Sequence, residues 1–253
     1  MDERRIGRRE AIAALGAAGA ALAAGCGSSS TSPSTGTAIN AAGTSSAACA
    51  VTPTETIGPY PSLIDLFRSD VREGRSGTPV TLTLTVVSTS SGCSPVAGAN
   101  VEIWQCDATG NYSQYGTQTT QTYLRGIQTT DANGQVTFTT VFPGWYQGRA
   151  THVHVEAVRN GVSEKATQIA FPESVNDAVY ATGIYAARGS NPTKNVQDGI
   201  FSDSINSELA SVSGDAGSAL TATFRVAIQA GLHRTSRGQR LRRGALRSRD
   251  RLQ

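Results

Sequence analysis

An all-β fold, an antiparallel β-sandwich with long loops and minor helix, is the class this sequence predicts. Three features carry the prediction. Apolar and polar residues alternate with period two in several short runs, Asn-Gly pairs punctuate those runs, and no amphipathic helical pattern separates them.

Before the sandwich come an export signal over residues 1–25 and a flexible linker over 26–48. The first stretch, RRIGRREAIAALGAAGAALAAGC, starts with arginine pairs and continues as a mild Ala/Leu/Gly run that ends at Cys26. Arg8-Arg9 with weak hydrophobicity reads as a twin-arginine signal, and LAAGC as a lipobox that would lipidate Cys26. A plain cleaved signal peptide is the alternative. Either way the expected protein is extracytoplasmic, and a lipid on Cys26 would anchor it to a membrane. The Ser/Thr/Gly/Ala stretch that follows offers no core residues and suits a tether.

The sandwich is expected over residues 49–229. PVTLTLTVV (79–87) alternates Val and Leu with Thr, as a strand with one buried face does. ANVEIWQC (99–106) alternates through Val101 and Ile103, with Trp104 out of phase. Asn133-Gly134 stands before another alternating run and predicts a hairpin. THVHVEAV and KATQIAF read as two strands joined by a short loop with its own Asn-Gly, and ALTATFRVAIQ (219–229) closes the domain. Between Pro172 and Gly214 the chain is loop-rich, with short helix expected around 173–181. Residues 230–253 read as a basic disordered tail.

Charge is segregated along the chain. Eight Arg against one Asp lie between Arg234 and Gln253, and four Arg against three acids precede Cys26, so with a total of +3 the middle carries five net negative charges. An acidic folded region excludes a nucleic-acid-binding surface, which needs its cations on the folded part. Cys49, Cys93 and Cys106 remain beside Cys26. One disulfide is expected among them outside the cytoplasm, and spacing does not choose the pair.

Chemistry concentrates in PGWYQGRATHVHV (143–155). The chain has three histidines, and His152 and His154 stand two apart, so on a strand both project from one face while Val153 and Val155 face the other. Tyr146 precedes them after a Pro-Gly turn, Arg149 lies three residues before His152, Tyr112 follows Trp104 by eight residues, and Gln168 follows His154 by fourteen. His-x-His by itself is as readily a solvated strand face as a ligand pair.

With the blocks GPYP (58–61), WQCDATGNYS, TTDANGQVTFTTVFPGWY and RATHVHV in this order and spacing, the region from about Thr52 to Gln229 resembles the intradiol ring-cleavage dioxygenases, the catechol, hydroxyquinol and protocatechuate dioxygenases. The resemblance implies a β-sandwich and a non-haem ferric ion, Fe(3+), held by Tyr112, Tyr146, His152 and His154. In that family the positions of Tyr146 and His154 are axial, and those of Tyr112 and His152 share the equatorial plane with a hydroxide. Arg149 and Gln168 would face bound substrate, and Arg149, Gln168 and Tyr146 would be the catalytic residues. It further implies a catechol-type substrate and O2 as partners and a muconate-type diacid as product. The donor types suit the ion, since phenolate is a hard anionic oxygen donor and thiolate a softer one. Tyr115 and Tyr123 compete for the first ligand position, and the distance from Trp104 favours Tyr112. Tyr60 is either pocket wall or packed aromatic; Trp104, Trp145, Tyr180 and Tyr185 read as structural. His233 lies beyond the last strand.

Two other functions fit the same residues. One is an extracytoplasmic β-sandwich binding module with a vestigial metal site. The other is a zinc or copper enzyme built on the two histidines. Metal content with a visible spectrum separates the three.

Overall fold

The computed structural model describes residues 38–41 and 49–229. The expected export signal, Cys26, most of the expected linker, the basic tail and His233 lie outside the described residues.

Alternation produces the strands where it was expected. Strand β2 (Pro79–Ser88) buries Val80, Leu82, Leu84 and Val86, and β10 (Ala219–Ile228) buries Leu220, Ala222, Phe224 and Val226. Strand β6 (Gln135–Val141) adds Val136 and Phe138, and these faces form one wall of the core. The opposing wall comes from β4 (Asn100–Trp104), through Val101 and Ile103, and from β7 (His152–Arg159), through Val153, Val155 and Ala157. Each fully buried Val, Leu, Ile or Phe contributes about 1.5–3 kcal/mol, so this double wall is the main source of stability.

The first sheet runs β1 (Ala38–Ala41), β9 (Ser211–Asp215), β10, β2 and β3 (Ser94–Pro95), with β6 also paired to β2. The second runs β5 (Arg125–Thr129), β4, β7 and β8 (Val162–Ala170). All pairs are antiparallel except β10 with β2, which run parallel with the rest of the domain as their crossover. Strands β7 and β8 form a hairpin turned by Asn160 and Gly161, both at positive φ (51° and 74°). Past β8, the loop-rich stretch carries one helix, α1 (Glu173–Tyr180), which seats Val175 and Val179 in the core.

Three expectations change. Residues 26–48 are not wholly linker, because Ala38–Ala41 pairs antiparallel with β9 through its backbone. The Asn133-Gly134 turn forms but makes no hairpin: β5 pairs with β4 and β6 with β2, so the turn carries the chain from one sheet to the other. Asp131 Oδ1 accepts the amides of Asn133 and Gln135 there, and Gly134 lies so close to Val86 that a Cβ would stand 2.4 Å from its carbonyl oxygen. The open disulfide choice resolves to Cys49–Cys93, leaving Cys106 as a buried thiol.

Register places the site. Trp104 pairs with His154 and His154 with Gln168, so the three side chains line up across the second sheet. They occupy its outer face, opposite the apolar core. Loops before β2, after β4 and before β7 fold over that face and take it out of water.

Candidate metal centre

His152 is 2% exposed and His154 0%, so the two histidines do not sit on a solvated strand face. Their Nε2 atoms are 3.2 Å apart. The Tyr146 hydroxyl lies 3.3 Å from His152 Nε2 and the Tyr112 hydroxyl 3.5 Å from it. Tyr112 arrives on the loop between β4 and β5 and is buried, while Tyr146, on the loop before β7, is half-buried. Four donor atoms from three segments thus converge on one point.

Proton positions follow from the partners. A backbone carbonyl only accepts, so the 2.6 Å contact between His152 Nδ1 and the Ala150 oxygen puts the proton on Nδ1 and leaves the Nε2 lone pair facing the cluster. His154 stacks flat on Trp104, with centroids 4.9 Å apart and planes 2° from parallel. Its Nδ1 is buried without a partner. Burial, and then the Arg149 charge, push the His152 pKa down to about 3; burial and then His152 hold His154 well below its ordinary value. Both imidazoles are therefore neutral, the form that ligates metals. Burial also pushes the Tyr112 phenol well above its ordinary range. It raises Tyr146 as well, opposed by the adjacent Arg149. Neither phenol ionises at neutral pH on its own.

His154 Nε2 and the two phenol oxygens, each 3.2–3.5 Å from His152 Nε2, are spaced as donors that would stand about 2.0–2.2 Å from a shared ion. Fixed tautomer, neutral rings and hard oxygen donors fit a highly charged hard cation, which would also drive both phenols to phenolate. Among the described residues no cluster of three or more His, Cys, Asp or Glu offers another such site.

Beside the donors, Arg149 gives Nη2 to Gln168 Oε1 at 2.5 Å, and Gln168 Nε2 donates to the Thr56 carbonyl at 2.9 Å. The two residues expected to face substrate are thus joined to each other. Tyr60 stacks on Tyr112 at 4.6 Å, which makes it wall as well as packing. Tyr115 is engaged elsewhere, donating to the Pro61 carbonyl, and Tyr123 lies under the Arg75 guanidinium. Cys106 packs with Trp104 and Tyr112, its thiol donates to the Gly144 carbonyl at 3.4 Å, and burial raises the thiol pKa to about 12. Tyr180 and Tyr185 donate to the Pro143 and Phe142 carbonyls, as structural residues do.

Sequence reasoning missed three contributors. Gly58 touches the His154 ring, Arg125 is buried under the Tyr112 loop, and Asp198 pairs with Arg149 at 2.8 Å. Only Gly58 left a trace, in the GPYP block.

Fold and site together describe a β-sandwich protein in which two tyrosine oxygens and two histidine nitrogens gather at one buried point. The family described as Dioxygenase matches residues 64–190, which include all four donors, Arg149 and Gln168. An intradiol ring-cleavage dioxygenase from Tetranychus urticae is 33% identical over 74% of this chain and 98% of its own, with a TM-score of 0.66. The dioxygenase domain of a dioxygenase carbohydrate-binding protein fusion from Streptomyces sp. SirexAA-E is 29% identical over 72% of this chain and 100% of that one, TM-score 0.55. A catechol 1,2-dioxygenase from Candida albicans is 32% identical over 109 residues, 34% of this chain; the match spans only 36% of that relative's length. The chain belongs to the intradiol ring-cleavage dioxygenase family.

Proposed function

We propose that the protein is a non-haem ferric dioxygenase that opens a catechol-type ring between its two hydroxylated carbons. The reaction consumes one O2, breaks the carbon–carbon bond of the diol, and leaves both oxygen atoms in the two carboxyl groups of a muconate-type diacid. The observation that carries the reading is the convergence of Tyr112, Tyr146, His152 and His154 on one buried point beside Arg149. Ferric iron bound there supplies the electron-poor centre through which a catecholate ring becomes reactive toward O2.

The chain's own residues have separate tasks. Tyr112, buried and stacked under Tyr60, stays in place. Tyr146, half-buried where Tyr112 is buried, gives way to the diol, and its Oη takes up one of the two protons that the diol loses. Arg149 presents its guanidinium beside the donors and stabilises negative charge on the diolate. Gln168 holds the guanidinium in that direction, and Trp104 keeps the His154 ring flat against the sheet. Of the nearby cations, Arg149 is already paired with Asp198 and Arg125 is buried, so catechols without a carboxylate, and hydroxyquinol, are favoured over protocatechuate.

The test is direct. Iron-loaded protein should be coloured by phenolate-to-iron charge transfer, and catechol added without air should shift the band. Admitting air should then yield the diacid cut between the hydroxylated carbons. Cleavage beside the diol would contradict the reading, because that outcome belongs to ferrous sites with two histidines and one carboxylate. A colourless protein inert toward catechols after iron loading would favour the binding module.

We also propose export and lipid anchoring, supported by Arg8-Arg9 and LAAGC. Changing Arg8 and Arg9 to Lys should block export, and Cys26→Ala should release soluble protein; membrane fractionation unchanged by Cys26→Ala defeats the anchor.

A further inference from the structure

We propose that Asp198 is a positioning residue that sets the Arg149 guanidinium and the His152 ring at once, through one buried carboxylate. The inference rests on the function proposed above and concerns a residue outside the 64–190 family match.

Asp198 is fully buried, in the turn that follows the short helical piece Asn195–Gln197. Its Oδ2 accepts Arg149 Nε at 2.8 Å and the Ala150 amide at 2.6 Å. Its Oδ1 accepts the amides of Ile200 and Phe201 at 2.8 and 3.4 Å. Burial works against the charge, but the bonds from Arg149 and from these amides outweigh it and keep the carboxylate ionised. Four donors fix the carboxylate, and the carboxylate in turn fixes the segment before β7.

That segment needs fixing. Residues 147–151 run without regular structure between Tyr146 and His152, and Gly148 sits at φ 85°. Ala150 is held on both sides: its N–H goes to Asp198, and its carbonyl receives His152 Nδ1–H at 2.6 Å. A displacement of Asp198 therefore reaches the His152 ring through one residue, Ala150, whose two flanking peptide planes meet at its Cα. Asn191 Nδ2 adds a bond to the Arg149 carbonyl at 3.0 Å, closing the same turn from outside. The guanidinium is fixed in parallel. Nε is taken by Asp198 and Nη2 by Gln168, so the planar fork has one orientation. One carboxylate thus sets both a donor nitrogen and the cation beside the reacting diol, and its charge tempers the field that Arg149 exerts.

Asp198→Asn is isosteric but turns one oxygen into an N–H donor, which must face either Arg149 and Ala150 or the Ile200 amide. Three iron-loaded variants test the proposal: Asp198→Asn, Arg149→Leu and the pair. Asp198→Asn should lower kcat by about 10–100-fold with little change in KM, the scale of a misplaced group near the chemistry. In the Arg149→Leu background the loss of kcat should be several-fold smaller, because the guanidinium path is then gone and only the path through Ala150 to His152 is left. The second readout needs neither iron nor turnover. In metal-free protein the His152 Nδ1 proton, bonded to Ala150, should exchange slowly by NMR, and Asp198→Asn should speed that exchange by at least about tenfold.

Equal losses of kcat in both backgrounds, or a His152 proton whose exchange does not change, would overturn the proposal. Should Asp198→Asn not fold, Asp198→Glu is read in the same assays against the same outcomes, since it keeps the charge but oversteps its partners by one methylene. A wild-type protein that never turns over catechol would sink the proposed function and leave the NMR measurement to decide Asp198.

Discussion

Gly58→Ala puts the placement of His154 to a quantitative test. Gly58 sits at φ 70° directly before Pro59, and a Cβ added there would stand 2.9 Å from His154 Cε1 and 3.4 Å from Nε2. Carbon atoms in contact prefer about 3.5–4.0 Å, so the ring or the loop must yield by roughly 0.6–1.1 Å. The ring has nowhere to go, because its far side lies flat on Trp104 and Nε2 belongs to the donor cluster. Left-handed backbone costs a residue with a Cβ about 1–2 kcal/mol, and overpacking a buried contact costs about 1–3 kcal/mol. Together these predict about 2–5 kcal/mol, or a Tm lower by roughly 4–20 °C for a domain of this size. Displacing Nε2 by up to about 1 Å should also cost on the order of 10²-fold in turnover. Calorimetry on metal-free protein isolates the strain, and iron titration followed by the visible band isolates the displaced donor. A variant that melts within about 2 °C of wild type and keeps the same band would refute the reasoning, since the loop would then not press on His154.

The remaining expectations concern the phenols and a buried acid. Tyr112→Phe should abolish the charge-transfer band or the iron itself, whereas Tyr146→Phe should retain iron with an altered spectrum and slow turnover. The metal-free stability of both should change by no more than about 1–2 kcal/mol, the scale of a neutral hydrogen bond, since the contacts of both hydroxyls to His152 are long; metal analysis, spectra and melting check all three. Glu208 is fully buried, and burial raises its pKa from 4.5 to about 7, against hydrogen bonding from Ser204. The folded state therefore holds this proton more tightly than the unfolded state, and the stability it contributes is complete below about pH 4.5 and lost as pH rises through about 7. Glu208→Gln, which keeps an acceptor for Ser204 without titrating, should match wild type near pH 5 and exceed it by about 2 kcal/mol at pH 8, read by urea melts. Equal stability of the two proteins at both pH values would exclude the raised acid.

The strands were legible because each buries one face, and a period-two pattern such as Val80, Leu82, Leu84 and Val86 needs no partner to be recognised. What the pattern omits is the identity of the partner. The Asn133-Gly134 turn has hairpin chemistry, yet its two arms join different sheets, because turn residues set a local bend and not which strand lies alongside. Ala38–Ala41 left no mark, since AINA sits in a Ser/Thr/Gly/Ala stretch and pairs with β9 through backbone groups every sequence has. The parallel pairing of β10 with β2 was hidden for the same reason.

The site divides along the same line. His152 and His154 share a strand face by arithmetic, but Tyr112 and Tyr146 lie on irregular loops, and only family resemblance could bring them to the histidines. Asp198 and Arg125 belong to no motif, and what exposes them is the need of every buried polar group for a partner. The two arginines near the site meet that need differently. Arg149 has a carboxylate, Asp198, for partner. Arg125 has none on its guanidinium: its donors go to the Ser113 hydroxyl and carbonyl, the Tyr60 carbonyl and the Ser62 hydroxyl, and burial lowers its pKa to about 10. A buried cation bonded only to neutral oxygens is costly unless negative charge gathers nearby. Its guanidinium lies 5.9 Å from the Tyr112 ring centroid, beside the donor cluster. Under the proposed function that is where two phenolates form and a catechol dianion is bound. Arg125 then ties the Tyr60 segment to the Tyr112 loop and also supplies positive charge that the loaded site can use.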